Sequence, residues 1–301
     1  MDFRVMTMAT AVVMLVPLNA DPGSQAPASP FQMSASVSDS RGRPVKDLTA
    51  ADFTVKVGAS ELKAVSAVLD TRPVSIVLIM DGVESTEVLD ARAALTEVLK
   101  QFRSMAEGVR VGMILGDAGA TVPEMQDANA AAAEHNRRVS VFFQAPQTAP
   151  PIDTLRAATE ALMKEENRRR VILVLSLNRR TASQQYLGDV ANALVGADIL
   201  LGSVETGRGS DQSLWLIHDA VGGRHERVGD VASLALAGGR LARALLSSYQ
   251  VTFESAEPLT VRPRIEVKTR KGLTVIAPAW ARQLSRAPSS GSWGPVVPGD
   301  R

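Results

Sequence analysis

The sequence predicts an α/β fold: an open, mostly parallel sheet with helices on both faces, plus a β-sandwich-like subdomain built from strands at both ends of the chain. Three observations predict it. Near-continuous apolar runs recur at "VSIVLIM", "VRVGMIL" (109–115), "VILVLSL" (171–177) and "ADILLGSV" (197–204), as expected of parallel strands covered on both faces. Helical patterns lie between them, so strand and helix alternate. The segments before Pro73 and after about residue 245 instead alternate apolar with polar residues, the period of half-buried strands.

The chain opens with "MDFRVMTMATAVVMLVPLNADPGSQA". A short head carrying Arg4 precedes an apolar stretch from Val5 to Leu18, and the small residues Ser24 and Ala26 follow. This is the layout of a secretory signal peptide over residues 1–26. The apolar run is shorter than the roughly 20 residues of a spanning helix. The expectation is a secreted or periplasmic protein with no stable transmembrane segment once the signal is removed; an uncleaved anchor is the other reading.

Residues 31–72 form the first part of the β subdomain. Phe31, Met33, Ala35 and Val37 alternate with polar residues. "DSRGRP" is a turn, and "LTAADFTVKV" reads as one helical turn capped by Thr49, with Asp52 three residues on, leading into a strand. "ELKAVSAVL" is another strand. The α/β domain covers 73–245. Its helices are "STEVLDARAALTEVLKQFRSM", "TLRAATEALMKEEN" and "ASQQYLGDVANALVG". In the first, Val88, Ala91, Leu95, Val98 and Phe102 make one stripe at helical spacing, which reads as core packing. After "VASLALAGGRLARALLSSY" the β pattern returns over 246–282, with "YQVTFES", "RPRIEVKT" and "LTVIAPAWA". The tail, 283–301, is rich in Pro, Gly and Ser and reads as disordered.

Composition narrows the function. Lys+Arg 33 against Asp+Glu 32 gives a net charge of +1, which argues against a nucleic acid or an anionic membrane held by bulk charge. Aromatics are 4%, too few for stacking platforms, and cysteine is absent, so disulfides, thiolate zinc sites and cysteine nucleophiles are excluded.

Motifs in a fixed order carry a resemblance. "VSDSRGRPVKDLTAADFTV" is followed by an apolar strand ending in "DGVES" (81–85), then by "WLIHDAVGGRHERV" and "LLSSYQVTFES". Over about residues 31–282 the chain resembles the von Willebrand factor type A (VWA) superfamily, and in particular exported bacterial VWFA-related proteins. The resemblance implies a VWA-type Rossmann-like domain and a site at the carboxyl ends of the strands. Most such domains carry a metal-ion-dependent adhesion site with a D-x-S-x-S motif, a threonine from a later loop and a further aspartate. A Mg²⁺ ion there takes oxygen ligands and keeps a position open for a carboxylate of the partner.

Against that pattern Asp81 and Ser85 are kept, but Val83 replaces the first serine. In "APPIDTLRAA" either Asp153 or Thr154 stands near the threonine position. In "VLSLNRR", Leu177 stands where the second aspartate is expected, with Asn178 for the usual glycine. The resemblance therefore implies a degenerate metal site and no cofactor, with Asp81 a strand-end residue. If Mg²⁺ binds at all, Asp81, Ser85 and Asp153 hold it, with Glu84 a further possible compensating carboxylate.

Other chemistry is weaker. His218 and His225 flank "DAVGGR"; a zinc pair is one reading, and a surface helix histidine with a strand-start histidine is the plainer one. No G-x-S-x-G elbow and no G-x-x-x-x-G-K-[ST] loop is present. "GRGSDQS" places Ser210 or Asp211 to cap a helix or to hold an anion at its start. "NRRRVILVL" reads as cations at a helix C-terminus. The expectation is an exported, non-catalytic protein that binds a protein partner through Asp81, Glu84, Ser85, Asp153, Thr154 and Asn178, on the loops 81–85, 147–154 and 177–180. The alternatives are a metal-dependent adhesin with a rebuilt Mg²⁺ site and a hydrolase-type enzyme using the same loops.

Overall fold

The computed structural model describes residues 28–81, 88–105, 108–115, 121–142, 151–177, 187–207 and 213–284. The signal segment, Val83, Glu84, Ser85, Asn178, Ser210, Asp211 and most of the tail lie outside these residues.

The α/β unit is built on a six-stranded sheet of β4 (Val74–Asp81), β5 (Arg110–Leu115), β6 (Gln126–Asp127), β7 (Arg169–Ser176), β8 (Ile199–Thr206) and β9 (Arg224–Val228), in the order β6-β5-β4-β7-β8-β9. All neighbours are parallel except the edge pair of β5 and β6. Because successive residues point to opposite faces, each apolar run serves two cores. Ile76, Leu78 and Met80 pack with Leu173 and Leu175 under α1 (Val88–Met105), α2 (Ala128–Phe142) and α6 (Val231–Leu245). Val77 and Ile79 pack with Ile172 and Val174 under α3 (Pro151–Met163), α4 (Leu187–Gly196) and α5 (Ser213–Val221). This is a Rossmann-like arrangement. On the α1 stripe Ala91, Leu95, Val98 and Phe102 are all buried.

The strands at the two ends of the chain interleave in one seven-stranded sheet. These are β1 (Ser29–Ser38), β2 (Phe53–Val57), β3 (Ser60–Leu69), β10 (Tyr249–Ser255), β11 (Pro263–Val267), β12 (Thr274–Ile276) and β13 (Arg282–Gln283). β10 lies between β3 and β1, antiparallel to both, so neither end of the chain completes the sheet alone. The edge strands β11 and β12 approach each other. The sheet thus curls around Phe31, Met33, Phe53, Val55, Val251 and Phe253, giving a sandwich-like interior from one continuous sheet. Between β1 and β2, Asp52 accepts hydrogen bonds from the N–H and hydroxyl of Thr49 around a 3-10 turn, Ala50–Asp52. The Tyr249 hydroxyl accepts from Leu48 N–H and donates to the Val45 carbonyl, each at 3.0 Å, pinning that loop to β10.

The two sheets meet at Gly222 and Gly223. Both have positive φ (+76° and +87°), a region that favours glycine. Gly223 N–H donates to Ala277 O and Ala279 N–H to Val221 O, which binds the end of α5 to the segment after β12. A Cβ on Gly223 would lie 2.0 Å from the Leu201 carbonyl oxygen.

Candidate functional site

Open α/β sheets bind ligands beyond the carboxyl ends of strands where the chain turns to opposite faces. Here that point lies between β4 and β7, because α1 leaves β4 on one face and α4 follows β7 on the other. The register places Asp81 beside Ser176, Ser176 beside Glu205, and Glu205 beside Arg227. Residues in register on parallel strands share a face, so this row points to the side of α3, α4 and α5. Asp81 is 9% exposed and Glu205 1%. Thr154 is buried in the first turn of α3, and Asp153 beside it is partly exposed. Asp81 and Thr154 thus belong to one corner. A carboxylate in the first turn, such as Asp153, is favourable with the helix dipole.

Leu177 departs to the other face. Its N–H donates to Asp81 O at 2.9 Å, its carbonyl accepts from the Thr206 hydroxyl at 3.1 Å, and its side chain is buried in the core under α1 and α6. Among the described residues no group of three His, Cys, Asp or Glu side chains is placed to hold a metal ion.

Glu205 was not foreseen. Its signal was the same as that of Asp81, a carboxylate ending an apolar strand. Its Oε2 lies 3.3 Å from Nε2 of His225 and 3.6 Å from the Arg227 guanidinium. Deeper in the sheet, Ser203 Oγ lies 2.8 Å from both His218 Nε2 and His225 Nδ1. The expectation of a surface histidine on α5 is therefore corrected: His218 is 8% exposed and turned into the sheet. One nitrogen of each ring faces the serine hydroxyl, and the ring centroids lie 5.5 Å apart. His218 Nδ1 lies 2.9 Å from the Gly222 carbonyl, which only accepts. His218 Nε2 then accepts from the Ser203 hydroxyl, Ser203 accepts from His225 Nδ1–H, and His225 turns Nε2 to Glu205. Burial pulls the His218 pKa down to about 4; the hydrogen bond to Gly222 opposes this and His225 adds to it.

The arginines of "NRRR" are also placed differently from the expectation. Arg169 and Arg170 begin β7 rather than end a helix. Arg170 does reach carbonyls just beyond two helices, Glu165 O after α3 and Ala197 O after α4.

No family model and no curated protein matches the chain. Solved structures do. A von Willebrand factor type A protein from Catenulispora acidiphila is 12% identical with a TM-score of 0.48, covering 86% of this chain and 74% of its own. The SpRpn10 VWA domain is 12% identical with a TM-score of 0.41, covering 54% of this chain and 93% of its own. BatB from Bacteroides thetaiotaomicron is 12% identical with a TM-score of 0.41, covering 57% and 98%. At such identities the likeness is one of fold. No helix among the described residues is long and apolar enough to cross a membrane.

Proposed function

We propose that this is an exported, non-catalytic VWA-type protein that binds a protein partner at the carboxyl-end corner of β4 and β7 without a metal ion. The observation that carries the reading is the placement of Leu177. The position where the resemblance expects a second carboxylate holds a leucine buried in the opposite core. With Val83 in the first motif, too few fixed oxygen ligands remain for Mg²⁺. Partner contact then falls to the loops 81–85, 147–154 and 177–180, with Asp153 a partly exposed carboxylate on α3 beside buried Thr154.

The hydrolase reading has one observation in its favour, the Ser203–His225–Glu205 chain of contacts. Ser203, however, has no exposed surface and lies in the middle of β8. A nucleophile must reach substrate, so the chain reads as a buried polar network.

The test is affinity capture from the native envelope in EDTA, with the wild type and Asp153→Arg as baits. The reading expects a protein retained by the wild type in EDTA and lost with Asp153→Arg. Capture that requires Mg²⁺ contradicts it. Export is checked by the mass of the protein from its host, expected to begin near Asp21 or Pro27.

A further inference from the structure

A second site lies at the opposite end of the parallel sheet. β7 runs eight residues from Arg169 to Ser176, so its start is more than about 20 Å from the corner. There a cleft of about 160 Å³ opens between the two sheets. Arg169, Arg170 and Asp198 line it from the α/β unit, and Ser34, Ser248 and Trp280 from the curled sheet and its approaches.

Its charge is unbalanced. Arg72 and Arg282 also line the cleft and its extension, but each is neutralised, by Asp70 at 2.7 Å and by Asp198 at 2.8 Å. Arg168 pairs with Glu165 at 3.5 Å. Arg169 and Arg170 differ. Arg169 donates to Arg72 O, to Ser248 Oγ at 3.0 Å and to Leu246 O. Arg170 donates to Glu165 O and to Ala197 O at 2.9 Å. These acceptors are neutral, and among the described residues neither guanidinium forms an ion pair. Burial lowers the Arg169 pKa, with Asp70 opposing and Arg72 adding to the effect. Both side chains are only partly exposed, and both guanidiniums keep donors to spare.

The hydroxyls complete the site. Ser34 Oγ accepts from Gln250 Nε2 at 3.0 Å and Ser248 Oγ accepts from Arg169, so each keeps its own proton to donate. Two cations and two hydroxyl donors around a small space suit an oxyanion, which accepts charge-assisted hydrogen bonds. The volume is below the roughly 300 Å³ of pockets for drug-sized ligands, which favours a small anion over a nucleotide. We propose that this cleft binds a small oxyanion, phosphate or carboxylate, held jointly by Arg169, Arg170, Ser34 and Ser248, and that the bound anion fastens the two sheets together. The proposal is independent of the reading of the opposite corner.

The test is thermal unfolding of the full chain with inorganic phosphate or malonate, against chloride at matched ionic strength. A saturable rise in Tm beyond the chloride control is expected with at least one; which of the two acts identifies the class. Arg170→Gln should weaken the response at least tenfold in apparent affinity. Should that variant fail to fold, Ser34→Asp decides: it supplies a carboxylate in place, so its Tm should exceed the wild type without added anion, and the anion response should vanish. No rise beyond chloride with either anion, or a full response surviving in Ser34→Asp, overturns the proposal.

Discussion

The Leu177 N–H donates to the Asp81 carbonyl oxygen over 2.9 Å, and the two side chains leave on opposite faces of the sheet. Asp81 turns to the side of α3, whereas Leu177 enters the core with Leu175 and Val98. The hydrogen bond closes β4 against β7 at the point where a ligand-binding corner forms. The same geometry commits the next residue of β7 to packing.

Restoring a carboxylate at Leu177 should therefore harm the fold before it helps a metal. Leu177→Asp removes a buried apolar side chain and adds a buried charge. The expected loss is on the order of 3–5 kcal/mol in denaturant unfolding. A variant as stable as the wild type would show that the side chain at 177 reaches the surface.

Gly223→Ala should lose more than about 2 kcal/mol, because the residue sits at φ +87° and the new Cβ meets the Leu201 carbonyl oxygen at 2.0 Å. The damage should centre on the junction of the two sheets. Hydrogen exchange at the amides of Gly223 and Ala279 reads it directly, since both donate across that junction. Unchanged protection there would contradict the account.

Acid should weaken the fold before most carboxylates titrate. Burial pulls His218 and His135 down to about 4, and His135 has no hydrogen-bond partner at either ring nitrogen among the described residues. The unfolded chain takes up these protons near pH 6.5, while the folded chain resists them until about pH 4. Their contribution is thus full above about pH 6.5 and declines as the pH falls toward 4. Tm measured from pH 8 to 4 should drop through that window, and His218→Gln should flatten the slope. An identical slope in the variant would remove His218 from the explanation.

Deleting residues 249–301 removes β10 from between β1 and β3. Met33 and Ala67 both lie opposite Val251, so their amides should lose protection together. Amides of β4 and β7 should keep theirs, because their partners lie within the parallel sheet. Full protection at Met33 and Ala67 would mean that the first strands stand without the last.

Much of this was legible in the sequence because burial on both faces leaves a plain mark. β4, β5, β7 and β8 appear as unbroken apolar runs, and β1 as the alternation of Phe31, Met33, Ala35 and Val37. α2 was not read. Its sequence, "ANAAAAEHNRRVSVF", favours helix through alanine but has few large apolar residues to draw a stripe. The contact of His218 and His225 through Ser203 was also hidden. It depends on the β8–β9 register and on the turn of α5, neither of which leaves a local mark. Arg169 and Arg170 were read as a helix end because charge at a strand start resembles charge at a helix stop. At the corner, Asp81 and Thr154 were legible through the resemblance, whereas Glu205 was passed over because its strand was read only to Val204.

The most direct measurement of the central claim is a Mg²⁺ and Mn²⁺ titration of the full chain followed by thermal unfolding. A ligand that binds the folded state raises Tm in proportion to its occupancy. The account predicts no saturable rise with either ion and the same flat response in Asp81→Ala. A saturable rise in the wild type that disappears in Asp81→Ala would contradict it, and would make the corner a working metal site.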